Sequence, residues 1–167
     1  LGLRGDMKRF DVVIVLDTSG STHDPTGSDI NGNGTIGKAP IGVVGAMVGL
    51  ANTDAGDSIL AAEVLAARKL VSSLDPRSTR VGLVTFAGDA PGQGGALFSR
   101  GPRAPAITEE PLTREYKKIE GSLEHVLERG PDGMTHIAAG LDQATTELLG
   151  LDCGLSKKDP DSEKFVL

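Results

Sequence analysis

The sequence predicts an α/β fold, a doubly wound and mostly parallel sheet flanked by helices. Three observations carry that expectation. Residues 11–16 (DVVIVL) and 81–86 (VGLVTF) are short apolar runs rich in β-branched side chains, the pattern of strands covered on both faces. Between them, Leu60, Val64, Ala67, Val71 and Leu74 fall at steps of four, three, four and three, one stripe of a helix over residues 58–74. Strand, helix and strand at that spacing make a βαβ unit. The 167 residues suit one domain with one core, spanning 1–167.

Each element has its own signals. Asp57 is placed as N-cap of the first helix, and Asp75-Pro76 stops it. After the second strand, residues 87–106 are rich in glycine and proline and hold one short edge strand. Residues 113–129 repeat the helical stripe with Tyr116, Ile119, Leu123 and Val126, and Gly130-Pro131 ends it. Gly121 in its middle is a mild cost. A third helix over 136–149 buries Ile137, Leu141, Ala144 and Leu148 and stops at Gly150. The tail DPDSEKFVL ends in an apolar FVL (165–167), the opening of another buried strand.

Composition narrows the function. A net charge of −6 and the absence of a basic run argue against a nucleic-acid backbone as partner. Aromatic residues are only 3%, so aliphatic side chains must fill the core. The single cysteine, Cys153, excludes an internal disulfide and is expected to be a small, semi-buried side chain. No segment has the about 20 apolar residues of a membrane span; the nearest, residues 39–51, is short and interrupted by glycines.

The first strand runs into DTSGST (17–22), where Asp17, Ser19 and Ser21 alternate as D-x-S-x-S. Hard divalent cations take oxygen ligands, and Mg²⁺ keeps several of its waters, so one carboxylate and two hydroxyls can form one face of its shell. A plain turn, with the same side chains bonded to nearby amides, explains the spacing equally well. Residues 130–141 (GPDGMTHIAAGL) add a second element. Together the two resemble the von Willebrand factor type A family. Its metal-ion-dependent adhesion site pairs D-x-S-x-S after the first strand with a threonine in a later loop. Asp17, Ser19 and Ser21 match the first element, and Thr135 matches the second. The order of strands and helices agrees too, outside residues 22–57.

That resemblance implies a Rossmann-like fold and Mg²⁺, or Mn²⁺ or Ca²⁺, at Asp17, Ser19, Ser21 and Thr135. It also implies a binding role, in adhesion or complex assembly, in which a partner protein's Asp or Glu completes the coordination. Such domains are often secreted, periplasmic or displayed on the cell surface. The family's third metal-site element is an aspartate that would follow FVL, so the resemblance implies that the C-terminal part of the domain is absent from this chain. Thr135 has an ordinary role open to it as well, capping a helix.

Residues 22–57 are too long for a usual strand–helix connection and are expected to form an insert. Within it, Gly32, Gly34 and Gly37 spell a dinucleotide fingerprint, and Gly32 to Lys38 spell a P-loop without its hydroxyl residue. Both phosphate motifs need a strand immediately before and a helix immediately after, and this stretch runs into Pro40 instead. Asp29, Asn31, Asn33 and Gly34 spell D-x-N-x-N-G, the front of a calcium loop, with Thr35 adding its carbonyl. This calcium-loop-like motif covers 29–36. Its bidentate acid is missing at Pro40, and Asp57 or Asp54 is available to replace it. The alternative is a polar insert without a ligand.

Two other function classes fit less well. A Mg²⁺-dependent phosphohydrolase with Asp17 as nucleophile needs an acid two residues on, and Ser19 stands there. A scaffold domain with a degenerate metal site keeps the fold without the chemistry. The expectation is therefore a binding module and not an enzyme. His23, His125 and His136 share no metal-ligand spacing.

Overall fold

A computed structural model describes residues 7–39, 52–88 and 104–167. Four strands, β1 (Arg9–Asp17), β2 (Thr79–Phe86), β3 (Ala106–Thr113) and β4 (Ser162–Val166), form one sheet in the order β3-β2-β1-β4. The helices are α1 (Ile59–Ser73), α2 (Tyr116–Arg129) and α3 (Ile137–Leu149), with single 3₁₀ turns at Gly20–His23 and Ala55–Asp57. β1 pairs parallel with both β2 and β4, and β3 runs antiparallel along β2.

The alternation along β1 sorts the helices to two faces. Ile14 and Leu16 join Val81 and Leu83 of β2 against α1 and α2, through Leu60, Val64, Ala67, Val71, Ile119, Leu123 and Val126. Val13 and Val84 point the other way and pack with Leu112, Ala144 and Leu148, so α3 covers the opposite face. Each Val, Leu or Ile side chain buried this way is worth about 1.5–3 kcal/mol. The sheet is doubly wound, as the continuous apolar runs of β1 and β2 predict.

Several boundaries differ from the sequence expectation. Thr113 pairs with Val81 in β3, so α2 starts at Tyr116 and not at 113. β3 itself, AITEEPLT, reads as polar and contains Pro111, yet it is an eight-residue strand. As an edge strand it tolerates a residue with no N–H to donate, and the pairing with β2 is irregular opposite that stretch. The N-cap of α1 is Ser58, whose Oγ accepts from the Ala61 amide at 3.2 Å, and not Asp57. The Asp57 carboxylate is fully buried and turned to the insert. Cys153 is exposed rather than semi-buried, because it lies in the irregular segment after Gly150. The apolar stretch 41–51 and most of 87–106 lie outside the described residues. No helix among the described residues is long and apolar enough to cross a membrane.

Buried Glu147 ties α3 to its neighbours. It accepts hydrogen bonds from Thr108 Oγ1 at 2.9 Å, the Leu155 amide at 3.0 Å, the Ser156 amide at 2.8 Å and the Ser156 hydroxyl. Burial alone would raise its pKa, but these donors outweigh it and hold the carboxyl below its ordinary value.

Candidate functional site

β1 delivers Asp17 to the carboxyl edge of the sheet, opposite Phe86 of β2. In an open parallel sheet this is the edge where ligands bind. The six residues 17–22 then divide their oxygens. Thr18 Oγ1 donates to the Phe86 carbonyl at 3.1 Å, and Thr22 Oγ1 donates to the Ser19 carbonyl at 2.9 Å. Both threonines are buried and serve the backbone. Asp17, Ser19 and Ser21 remain as an alternating set. Asp17 Oδ1 accepts from the Ser19 amide at 2.7 Å, and the Ser19 and Ser21 hydroxyls stand 3.3 Å apart.

The loop between α2 and α3 lies against this turn. The Asp132 amide donates to the Thr18 carbonyl at 2.9 Å, and the Gly20 amide donates to the Gly133 carbonyl at 3.0 Å. Gly133 also bridges to Gly88 beyond β2, and the Met134 amide donates to the Gly88 carbonyl at 3.0 Å. The T-loop and the D-x-S-x-S turn, distant in sequence, are thus laced together by backbone hydrogen bonds. Thr135 is exposed at this edge. Capping of α3 falls to His136, whose Nδ1 accepts from the Ala139 amide at 3.2 Å, so the hydroxyl of Thr135 is not used there.

Gly133 makes the lacing possible. Its φ is +86°, and a Cβ there would stand 3.2 Å from the Gly88 nitrogen. Gly133→Val is expected to lose about 1–3 kcal/mol of stability, since a β-branched residue strains this backbone region. Chemical denaturation measures the loss, and amide exchange at Gly20 should rise with it.

One acidic residue beside this edge escaped the sequence reading. Glu63, in the first turns of α1, has its pKa pushed up to about 7, by burial first and by the negative charge of Asp17 second. Its Oε2 is buried and has no hydrogen-bond partner. A signal was available: the helix after β1 of such a fold begins at the carboxyl edge, so acids in its opening turns lie near whatever binds there.

The insert folds around three carboxylates. Asp29 takes the amides of Gly32 at 2.7 Å and Asn33 at 3.1 Å on Oδ1, and that of Gly34 at 2.9 Å on Oδ2. Asn33 Oδ1 accepts from the Thr35 amide at 2.8 Å. Asp57 accepts from the amides of Ile30 at 2.7 Å and Gly37 at 2.8 Å, clamping the loop to the start of α1. Asp54 is the carboxylate that meets the loop's side chains, accepting from Asn31 Nδ2 at 3.1 Å and Asn33 Nδ2 at 2.7 Å. The Asn33 bond above all holds the Asp54 carboxyl below its ordinary value. Asn31, Asn33 and Asp54 are therefore brought together, while the carboxylates of Asp29 and Asp57 are both occupied with backbone amides. Among the described residues no three His, Cys, Asp or Glu side chains gather as metal ligands. In the insert, Asn31 and Asn33 meet Asp54 through their Nδ2 groups, while their Oδ1 atoms accept from the Asn33 and Thr35 amides.

No protein-family model matches the sequence, and no curated protein matches it. Solved structures do. An aerotolerance-related membrane protein from Bacteroides fragilis, with multiple mutations to serines, matches with a TM-score of 0.51 at 20% identity. The conserved hypothetical protein BatB from Bacteroides thetaiotaomicron matches with a TM-score of 0.50, also at 20% identity. Both alignments cover 87% of this chain and 49% of the other. The fold they share with this chain is a Rossmann-like α/β sheet flanked by helices. The PilB minor pilin from Streptococcus sanguinis matches with a TM-score of 0.55 at 17% identity, over 99% of this chain and 30% of that one. At such identities the likeness is one of fold alone. The chain spans about half the length of the two Bacteroides structures, 49% of each.

Proposed function

We propose that this chain is a von Willebrand type A domain that holds a divalent cation on Asp17, Ser19, Ser21 and Thr135 and captures a partner protein's Asp or Glu carboxylate. The observation that carries this is the lacing of the two loops, Gly20 to Gly133 and Thr18 to Asp132, which sets the T-loop beside the D-x-S-x-S turn. Its donor set of one carboxylate and three hydroxyls fits Mg²⁺ or Mn²⁺, which keep waters that a partner's oxygen can replace. A bound cation supplies charge that draws an anionic oxygen. The residues around it supply position: Thr18 and Thr22 lock the turn, and His136 starts α3 without consuming Thr135.

The phosphohydrolase alternative is weaker. Ser19 stands where the general acid would have to be, and it is 1% exposed with its hydroxyl turned to Ser21. A secreted, periplasmic or surface location agrees with the description of one structural neighbour as a membrane protein.

The insert supports a second cation, Ca²⁺, on Asp29, Asn31, Asn33 and the Thr35 carbonyl. Asp54, facing Asn31 and Asn33, favours this reading because it supplies the acid missing at Pro40. Asp57 then acts through the loop it clamps.

Titration calorimetry with Mg²⁺, Mn²⁺ and Ca²⁺ tests both sites. Asp17→Ala is expected to weaken Mg²⁺ and Mn²⁺ by about 100-fold, the upper end of what supporting residues of metal sites cost, and to leave the Ca²⁺ class intact. Asn31→Ala should do the reverse. If Asp17→Ala binds all three ions like the parent, the adhesion-site reading fails.

A further inference from the structure

We infer that the cleft between the 20–23 turn and the end of α2 is a second contact for the partner that supplies the carboxylate. It receives an aliphatic side chain two residues from that acid, with a backbone carbonyl of the same segment on Arg129. The inference rests on the cation reading of Asp17 and names what else the captured partner carries.

The cleft is a cavity of about 360 Å³, at the lower end of the range for ligand clefts. It lies at the same end of the sheet as the D-x-S-x-S turn, because its walls continue from that turn and from the loop laced to it. His23 on one wall ends the 3₁₀ turn that holds Ser21, and Pro131 on another precedes Asp132, whose amide is bonded to Thr18. Two Cα steps separate His23 from Ser21, at most about 7.6 Å. Side chains on one face of an extended peptide repeat at about 6.7 Å. An extended partner with its acid at the cation therefore brings the second residue along to this cleft.

The lining says what that residue is. The cavity runs from Ala55 and Glu128, which are exposed, to Leu60, which is buried, and Leu127 adds further apolar surface. Arg129 sets the polar requirement. Its Nη1 donates to Glu109 Oε2 at 3.2 Å, and its Nη2 donates to Thr85 Oγ1 at 3.4 Å and to Glu109 Oε1. The third nitrogen, Nε, is buried and has no hydrogen-bond partner. A buried donor without an acceptor is costly. Glu109 already matches the charge of the guanidinium, and Glu128 at the surface repels a second carboxylate. The acceptor that suits Nε is therefore neutral. A peptide carbonyl is such an acceptor, and the carbon-lined remainder of the cleft takes an aliphatic side chain.

The test uses the whole chain in saturating MgCl₂ and follows fluorescein-labelled, capped peptides by polarisation. The peptide GLGDGLG places leucine two residues from the acid on both sides, and GGGDGGG lacks it. The leucine peptide is expected to bind about tenfold more tightly, the gain from burying one such side chain. Ala55→Trp fills the cleft from its exposed rim and should erase that preference, while keeping the parent's melting temperature and Mg²⁺ affinity. Leu127→Asn makes another wall polar and should erase it too. Arg129→Lys keeps a charge opposite Glu109 without the spare donor, and should bind the leucine peptide several-fold more weakly. Equal affinity for the two peptides, or a leucine preference that survives in Ala55→Trp and Leu127→Asn, overturns the cleft and leaves the cation site standing. No binding of the leucine peptide by a chain whose Mg²⁺ affinity depends on Asp17 does the same. Parent-like binding of that peptide by Arg129→Lys overturns the carbonyl contact. Parent-like Mg²⁺ binding by Asp17→Ala overturns the underlying site, and this inference with it.

Discussion

Asp11→Ala is expected to cost about 3–5 kcal/mol of unfolding free energy, the loss typical of removing one partner of a buried ion pair. Asp11 is 1% exposed in the central strand, and Arg80 from the neighbouring strand meets it with two hydrogen bonds of 2.7 Å. Ser162 of β4 donates to the same carboxylate, so one side chain joins the three parallel strands at their amino ends. Alanine leaves the Arg80 guanidinium, only 15% exposed, without its counter-charge. Urea denaturation reads the loss. Asp11→Asn should fall between the parent and alanine, since it keeps a hydrogen-bond acceptor without the charge.

The same pair gives the protein an acid limit. Burial by itself raises the Asp11 pKa, but the Arg80 and Ser162 hydrogen bonds outweigh it and hold the carboxyl below its usual value. A carboxyl depressed in the folded state contributes stability above its unfolded pKa of about 4 and loses it as pH falls through the lower folded value. The contribution should be intact at about pH 5 and above and should drain below about pH 4. In Asp11→Asn that acid-dependent part of the curve should be smaller.

Asp57→Ala is the second large effect, about 3–5 kcal/mol by the cost of orphaning amides bonded to a charged acceptor. Its carboxylate is fully buried and takes the Ile30 and Gly37 amides at 2.7 and 2.8 Å, with the Asn31 amide more distant at 3.4 Å. These bonds fasten the 29–37 loop to the turn that opens α1. Without them the loop detaches from Asp54, although none of the residues proposed to face calcium has changed. Ca²⁺ binding by calorimetry should therefore fall with the stability. Mg²⁺ binding at Asp17 should fall much less, since that site is laced through Gly133 rather than through the insert.

Periodicity explains what was legible in the sequence. β1, β2 and the three helices bury stripes of aliphatic residues, and a stripe is visible without a structure. β3 was not legible, because TEEPLT owes its extended form to pairing with β2 and not to its own apolar content. The Asp57 and Ser58 roles were exchanged for a local reason: both residues suit an N-cap, and only three-dimensional placement shows that Asp57 is turned to the insert. Asp17, Ser19 and Ser21 stand together because they are adjacent on one turn. Thr135 joins them through a family resemblance that no spacing rule supplies. Glu63 sits on a helix whose other charged residues look outward, and a single acid on such a helix reads as solvated until its neighbours are known.

Among the described strands, the central one precedes its partners in the chain. β1 pairs in parallel with β2 and with β4, and the contact of Arg9 with Asp161 closes a separation of 152 residues. Parallel pairing across such distances pays its loop-closure entropy before any contact rewards it. A chain leaving the ribosome therefore carries an apolar β1 with no complete set of partners until β4 has emerged. For that interval DVVIVL is an unpaired sticky strand, the kind of segment that chaperones shield. The turn that follows it is held by backbone bonds to Phe86, Asp132 and Gly133, all made before β4, so the edge of the sheet can be set while one flank of β1 is still open.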